Sequence, residues 1–152
     1  MVSASCSYPA SGPGDGSGWL NDKVAQLTAS GLLWVNAAGN AAQGHWSGSF
    51  KDTNHDNWME FSGSDSVNYF YAVAGEEVDI YLTWNRWPGT NQDYDLHLYS
   101  EGSASEVAYS TWEQTGSQEP VEIIAIIIPI SGYYDVRVSN PYGYAAGDAN
   151  MN

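Results

Sequence analysis

Hydrophobic and polar positions alternate most cleanly across residues 77–99. Val78, Ile80, Leu82 and Trp84 alternate with Asp79, Tyr81 and Thr83, and after a polar link Leu96 and Leu98 alternate with Asp95, His97 and Tyr99. A period of two puts one face in a core and the other in water, so the stretch predicts two strands joined by a loop. Pro88-Gly89 within residues 85–92 supplies the turn signal. Further strands are expected at residues 45–50, 68–73, 106–111, 121–128 and 133–139, with Gly75, Gly89, Gly102, Gly116 and Gly132 punctuating them. The apolar run at residues 123–128, IIAIII, suits a strand buried on both faces. In the last strand Tyr134, Val136 and Val138 point inward. The fold expected for residues 45–152 is mainly β: a jelly-roll-like antiparallel β-sandwich.

Ahead of it the period is different. Residues 2–7 form a short strand candidate and residues 8–18 a loop dense in Gly, Pro and Ser. Leu20, Val24 and Leu27 then share one helical face, with Ser17 as the expected N-cap and Gly31 as the left-handed residue that ends the helix. Residues 32–35, LLWV, are apolar on both faces. Strand, helix and strand in this order predict a short βαβ unit with parallel strands, so the chain divides into residues 1–44 and 45–152. An isolated unit of this kind needs cover on both faces. The sandwich is one source; a neighbouring copy is the other, giving a homo-oligomer or a polymer built by strand exchange through the N-terminal segment.

Composition narrows the partners. Of 152 residues, 43% are hydrophobic and 14% aromatic, which describes a globular chain. Four Lys and Arg face 18 Asp and Glu, a formal charge of -14, so nucleic acid and an anionic membrane surface are repelled. Cations, neutral polymers and basic partners remain. The acidic, Asn-, Gly-, Ser-, Tyr- and Trp-rich, Lys-poor composition reads as secreted and extracellular, and the single Cys6 permits no internal disulfide. No basic-then-apolar signal opens the chain, and no apolar run approaches the ~18 residues of a membrane span.

Two acidic stretches are candidate calcium sites. In residues 52–60 the oxygens of Asp52, Asn54 and Asp56 alternate, Asn57 stands where a tight turn needs positive φ, and Glu60 follows. Calcium takes six to eight oxygens at about 2.3–2.6 Å, and alternate spacing around a turn converges them. Helix-loop-helix features are missing, so an exposed polar turn is the alternative. Asp93 and Asp95, two apart, form the second candidate, a structural Ca2+ site set against a solvated strand face. Zinc is disfavoured, because one Cys and three scattered His lack ligand spacing. Paired carboxylates two residues apart do not place a raised-pKa acid opposite a nucleophile, so glycoside hydrolysis is not expected. Seven Trp and eleven Tyr exceed what a core of this size needs. Trp84, Trp87, Tyr94, Tyr99 and Trp112 lie on or beside loops, where planar rings either pack or grip an extracellular polysaccharide or protein polymer.

Residues 30–40, SGLLWVNAAGN, resemble the subtilisin-like serine proteases, in which a strand runs into an Ala-Ala-Gly-Asn turn. The resemblance implies that Asn40 matches the oxyanion-hole position. The Gly-Thr-Ser-Met-Ala and His-Gly-Thr types of motif that carry nucleophile and base in that family do not occur, so no catalytic activity is expected. Residues 75–84, 93–99 and 132–138 resemble the pre-peptidase C-terminal type of β-sandwich, an accessory module of secreted proteases. That resemblance implies calcium binding and engagement of polymeric substrates. Together these readings describe a non-catalytic, calcium-stabilised binding module of secreted protease ancestry; the alternative is a self-assembling extracellular structural subunit.

Overall fold

The alternation at residues 77–83 and 95–100 does form two core strands, within a fold that is mainly β and antiparallel after one short βαβ unit. The computed structural model describes residues 1–38, 44–103, 105–143 and 150–151. They fall into two compact units, Met1–Trp46 and Ser47–Asn152.

In the first unit β1 (Val2–Ala4) pairs in parallel with β2 (Trp34–Asn36), with α1 (Trp19–Ala29) between them in sequence. The expected 2–7 strand is thus only three residues long. Gly31 takes φ of 90° after the helix, a value that suits a residue without Cβ. The helix start differs from expectation: Gly18 occupies the cap position without a side-chain bond, because the Ser17 amide and hydroxyl both donate to Asp15 Oδ1. No described residue of this unit is fully buried, and Leu33 and Val35 on the strand side are exposed.

The second unit holds two sheets. One has the order β4 (Asn68–Ala72), β9 (Gly132–Ser139), β6 (Asp95–Ser100) and β7 (Glu106–Ser110). The other is built from β5 (Glu77–Thr83) with β8 (Val121–Ile127), and β3 (Gly48–Ser49) with β10 (Asn150–Met151). A bridge from Trp84 to Met151 joins the two pairs into one layer. Between the layers lie Leu82, Trp84 and Ile124 from one side and Leu96, Leu98, Tyr134 and Val138 from the other. The arrangement is a β-sandwich.

One burial expectation fails. Ile124 and Ile128 are buried, whereas Ile123 and Ile127 are 47% and 69% exposed. Among the described residues β8 pairs only with β5, so it lies at a sheet edge with an uncovered outer face. The IIAIII run therefore behaves as a one-sided strand.

Candidate functional site

Strand parity builds the most conspicuous surface. With Phe70, Ala72, Tyr134, Val138, Leu96 and Leu98 facing the core, the intervening residues of β4, β9, β6 and β7 face outward. Tyr69, Tyr71 and Tyr133 are 66%, 57% and 46% exposed, and they touch one another: the Tyr133 ring stands edge-on to Tyr71 at 5.2 Å and to Tyr69 at 6.0 Å. The strip continues across the sheet. Asp135 lies between Tyr69 and Tyr99 in register, and the Arg137 guanidinium sits 4.9 Å over the Tyr99 ring. Next come His97, stacked on Tyr99, and Trp58, edge-on to His97 at 5.1 Å. Exposed Tyr109 lies opposite His97 on β7. At about 4.8 Å per strand the face is about 15 Å across.

A hydrogen-bonded chain crosses the same face. His97 Nδ1 lies 2.5 Å from Glu106 Oε1, and His97 Nε2 lies 3.2 Å from Ser139 Oγ. The order hydroxyl, imidazole, carboxylate is that of a nucleophilic triad. Its setting is not. Ser139 is buried within a regular strand, and the amide that follows it, Asn140 N–H, donates to Asn57 O at 2.9 Å. Neither an exposed hydroxyl nor a free neighbouring amide for an oxyanion is in place.

The second feature is a carboxylate network at one end of the sandwich. Buried Glu122 accepts from Ser110 Oγ–H, from Trp112 N–H at 3.2 Å and from Gln114 Nε2–H at 2.6 Å. Gln114 also donates Nε2–H to the Trp112 carbonyl, and its backbone N–H to Asp93 Oδ1 at 2.8 Å. Asp93 is buried too, so the solvated strand face considered for it from the sequence is not what forms; Asp95 is half-buried. Burial pushes all three acids upward, Asp95 to about 6 with Asp93 and Glu122 adding repulsion. Beside this network a cleft of about 570 Å³ is lined by Asn91, Asp93, Glu113, Gln114 and Tyr142, whose hydroxyl donates to Glu113 Oε1 at 3.1 Å.

The acidic loop has the local geometry expected of a tight turn, with Asn57 at φ 69° and His55 at 61°. Its oxygens are engaged internally. Asp52 accepts from the amides of Asp56 and Asn57 at 3.0 Å each, Asn54 Oδ1 accepts from Asp56 N–H at 3.2 Å, and Asp56 Oδ1 accepts from Trp58 N–H at 2.9 Å. Glu60 is buried and takes both the Thr53 amide and hydroxyl, at 3.1 and 2.6 Å. Asp52, Asn54 and Asp56 thus each accept at least one backbone amide of the loop. Among the described residues no three His, Cys, Asp or Glu gather in a metal-binding group.

The aromatic expectations divide. Trp84 and Tyr94 are 1% and 0% exposed and pack edge-on at 5.2 Å, so neither ring presents a face to a ligand. Parity from Leu82 draws Trp84 inward, and Tyr94 also packs against Phe50. Tyr99 lies half-buried on the outer face, Trp87 half-buried beside Arg86 and Gly116, and Trp112 is exposed. Tyr69, Tyr71 and Tyr109 are not among the aromatic residues singled out from the sequence, although alternation with buried Ala72 sets the first two outward and alternation with buried Ser110 the third. Asn40 lies outside the described residues.

No protein-family model and no curated protein matches the chain. No helix among the described residues is long and apolar enough to cross a membrane.

Proposed function

We propose that this chain is a non-catalytic, calcium-stabilised binding module, secreted and of subtilisin-like protease ancestry, that holds an extended neutral polymer, a glycan before a peptide, on the tyrosine strip. The observation that carries the reading is the Tyr71–Tyr133–Tyr69 cluster. Three mutually supported rings stand exposed on a rigid sheet, where apolar side chains without a partner are costly. Each ring offers a flat apolar face and a hydroxyl, the combination that stacks on a sugar ring and bonds its hydroxyls. The charge of -14 repels polyanions, and among the classes that remain a neutral chain is the one that stacking rings fit. The strip's breadth favours several units of a polymer over one small molecule. Affinity electrophoresis in gels holding soluble neutral polysaccharides, with gelatin as the peptide polymer, tests it. Retardation by one polysaccharide, lost in Tyr71→Ala/Tyr133→Ala with the melting temperature kept, is expected; migration unchanged in every gel defeats the reading.

A second reading is favoured by the first unit. Among the described residues β1 and β2 pair only with each other, and Leu33 and Val35 are exposed. Such strands offer open edges to another copy, which supports a structural subunit that assembles by strand exchange. Light scattering on a size-exclusion column decides: large assemblies favour this reading, and a monomer at micromolar concentration removes it.

A further inference from the structure

Next to the carboxylate-lined cleft lies a second one of different chemistry. Its volume is about 690 Å³, and its lining holds the side-chain amides of Asn85, Asn91 and Gln92 together with Trp87 and Arg86, and no Asp or Glu. In a chain of 18 acids against four Lys and Arg, a basic cleft is the exception. The arginine is positioned without being neutralised. Gln92, 5% exposed, accepts Arg86 Nε–H on Oε1 at 3.1 Å. The two ion pairs among the described residues are made by His97 and Arg137, so Arg86 has no carboxylate partner among them. A neutral partner fixes the guanidinium at one nitrogen and leaves its charge uncompensated.

The walls are fixed as well. Thr90 N–H donates to Gln118 O at 3.0 Å and Gly116 N–H to Thr90 O at 2.8 Å, which ties the two lining loops together. They approach so closely that a Cβ on Gly89 would come within 3.1 Å of the Gly116 carbonyl oxygen. Gln92 N–H donates to Thr90 Oγ1 at 2.9 Å, so the residue that supports the guanidinium is itself bonded down. A site held in this way loses little conformational entropy when it is filled.

We infer that this cleft takes a single sugar acid, a hexuronate or the uronate end of a short oligosaccharide, with its carboxylate on the terminal nitrogens of Arg86, its ring against Trp87 and its hydroxyls on the Asn91 amide. A carboxylate matches the planar fork of a guanidinium in two parallel N–H···O bonds, which are among the strongest a protein surface offers. The rest of the ligand follows from the rest of the lining. Amides and hydroxyls bond a hydroxylated ring, and the half-buried indole gives it a face to stack on, whereas the apolar terminal residue of a peptide would find only that indole. One charge is the limit. At a screening length of about 8 Å the Arg86 charge governs its own cleft, while a chain with a carboxylate on every unit meets the -14 of the whole molecule. The cleft shares no lining residue with the tyrosine strip, and neither reading depends on the other.

NMR titration of the isotope-labelled full chain with D-galacturonate, D-galactose, acetate and acetyl-trialanine tests both the ligand and the place. Shifts of Trp87 Nε1–H and Arg86 Nε–H with galacturonate are expected. Galactose, which carries a hydroxymethyl group in place of the carboxylate, should bind at least about tenfold more weakly, and galacturonate should bind Arg86→Gln at least about tenfold more weakly than the unaltered chain. Arg86 is exposed, so the variant should keep the melting temperature; where it does not, the galactose comparison in the unaltered chain decides alone. Equal affinity for galactose, or equal affinity in a folded Arg86→Gln, overturns the carboxylate contact. Acetate or acetyl-trialanine bound as tightly as galacturonate overturns the sugar ring as its carrier. No shift at either residue with any of the four ligands at tens of millimolar overturns the site.

Discussion

Gln114 ties two buried acids together: its side-chain Nε2–H reaches Glu122 Oε1 at 2.6 Å, while its backbone N–H is held by Asp93. Glu122 in turn collects three donors from the strand and loop that follow Leu98, so the β7–β8 connection is organised by one carboxylate inside the sandwich. Replacing Glu122 with Ala strands the Ser110 hydroxyl, the Trp112 amide and the Gln114 amide group together. At about 1–3 kcal/mol for each buried donor left unpaired, the variant is expected to lose about 3 kcal/mol or more in urea unfolding. A loss below about 1 kcal/mol would mean that water replaces the carboxylate without cost, and that the network does not brace the loop.

Asp95 supplies a pH dependence. Burial first, then the negative neighbours Asp93 and Glu122, raise its pKa to about 6 from the ordinary 3.8. An acid whose folded pKa lies above its unfolded value takes up a proton on folding. Ionised Asp95 therefore opposes folding in full above pH 6, and the opposition fades as pH falls from 6 toward 4. In chelator the melting temperature is expected to rise between pH 7 and pH 5. Asp95→Asn should melt higher at pH 7 and show a flatter profile across that window. An equal slope in the variant would assign the effect to the general charge of the chain instead.

The Ser139–His97–Glu106 chain has the hydrogen-bond order of a triad but a closed setting, and the expected outcome is chemical silence. A fluorophosphonate probe should leave Ser139 unlabelled in the folded protein, read by mass spectrometry of the peptide. His97→Gln should lower stability, because it breaks the contacts to Glu106, Ser139 and the Trp58 ring at once. Labelling of Ser139 that disappears in His97→Gln would show that the strand opens and that the hydroxyl is activated.

The sheet strands were legible because alternation is local: Leu96 and Leu98, or Tyr134 and Val138, declare their face by parity alone, and the structure buries all four. What parity does not encode is which strand has a neighbour. Ile123 and Ile127 looked interior because they are apolar, yet β8 lies at an edge and leaves them in water. The same limit governs the sites. Asp93 and Asp95 were visible as a pair, but Gln114 and Glu122 come to Asp93 from a loop and strand more than 20 residues away, and no spacing rule announces such a meeting. Trp84 and Tyr94 were placed beside loops, and tertiary packing drew both into the core. Tyr69, Tyr71 and Tyr133 show the reverse: alternation set each outward, and only the β4–β9 register made them one cluster.

The two units should differ sharply in isolation. Every buried described residue belongs to the unit that begins at Ser47, whereas no described residue of α1 or of the rest of the first unit is buried. A chain of that size recovers too little apolar burial to offset the backbone entropy it must lose, and a single helix of 11 residues is marginal in water. A fragment spanning residues 47–152 is therefore expected to unfold cooperatively, with a melting temperature within a few degrees of the full chain. A fragment spanning residues 1–46 should show a coil-like far-ultraviolet circular dichroism spectrum and no thermal transition. Should the short fragment instead fold only at high concentration, its exposed Leu33 and Val35 have found a second copy, and strand exchange gains its first direct support. Should the long fragment fail to fold, the sandwich depends on residues before Ser47, and the division into two autonomous units is wrong.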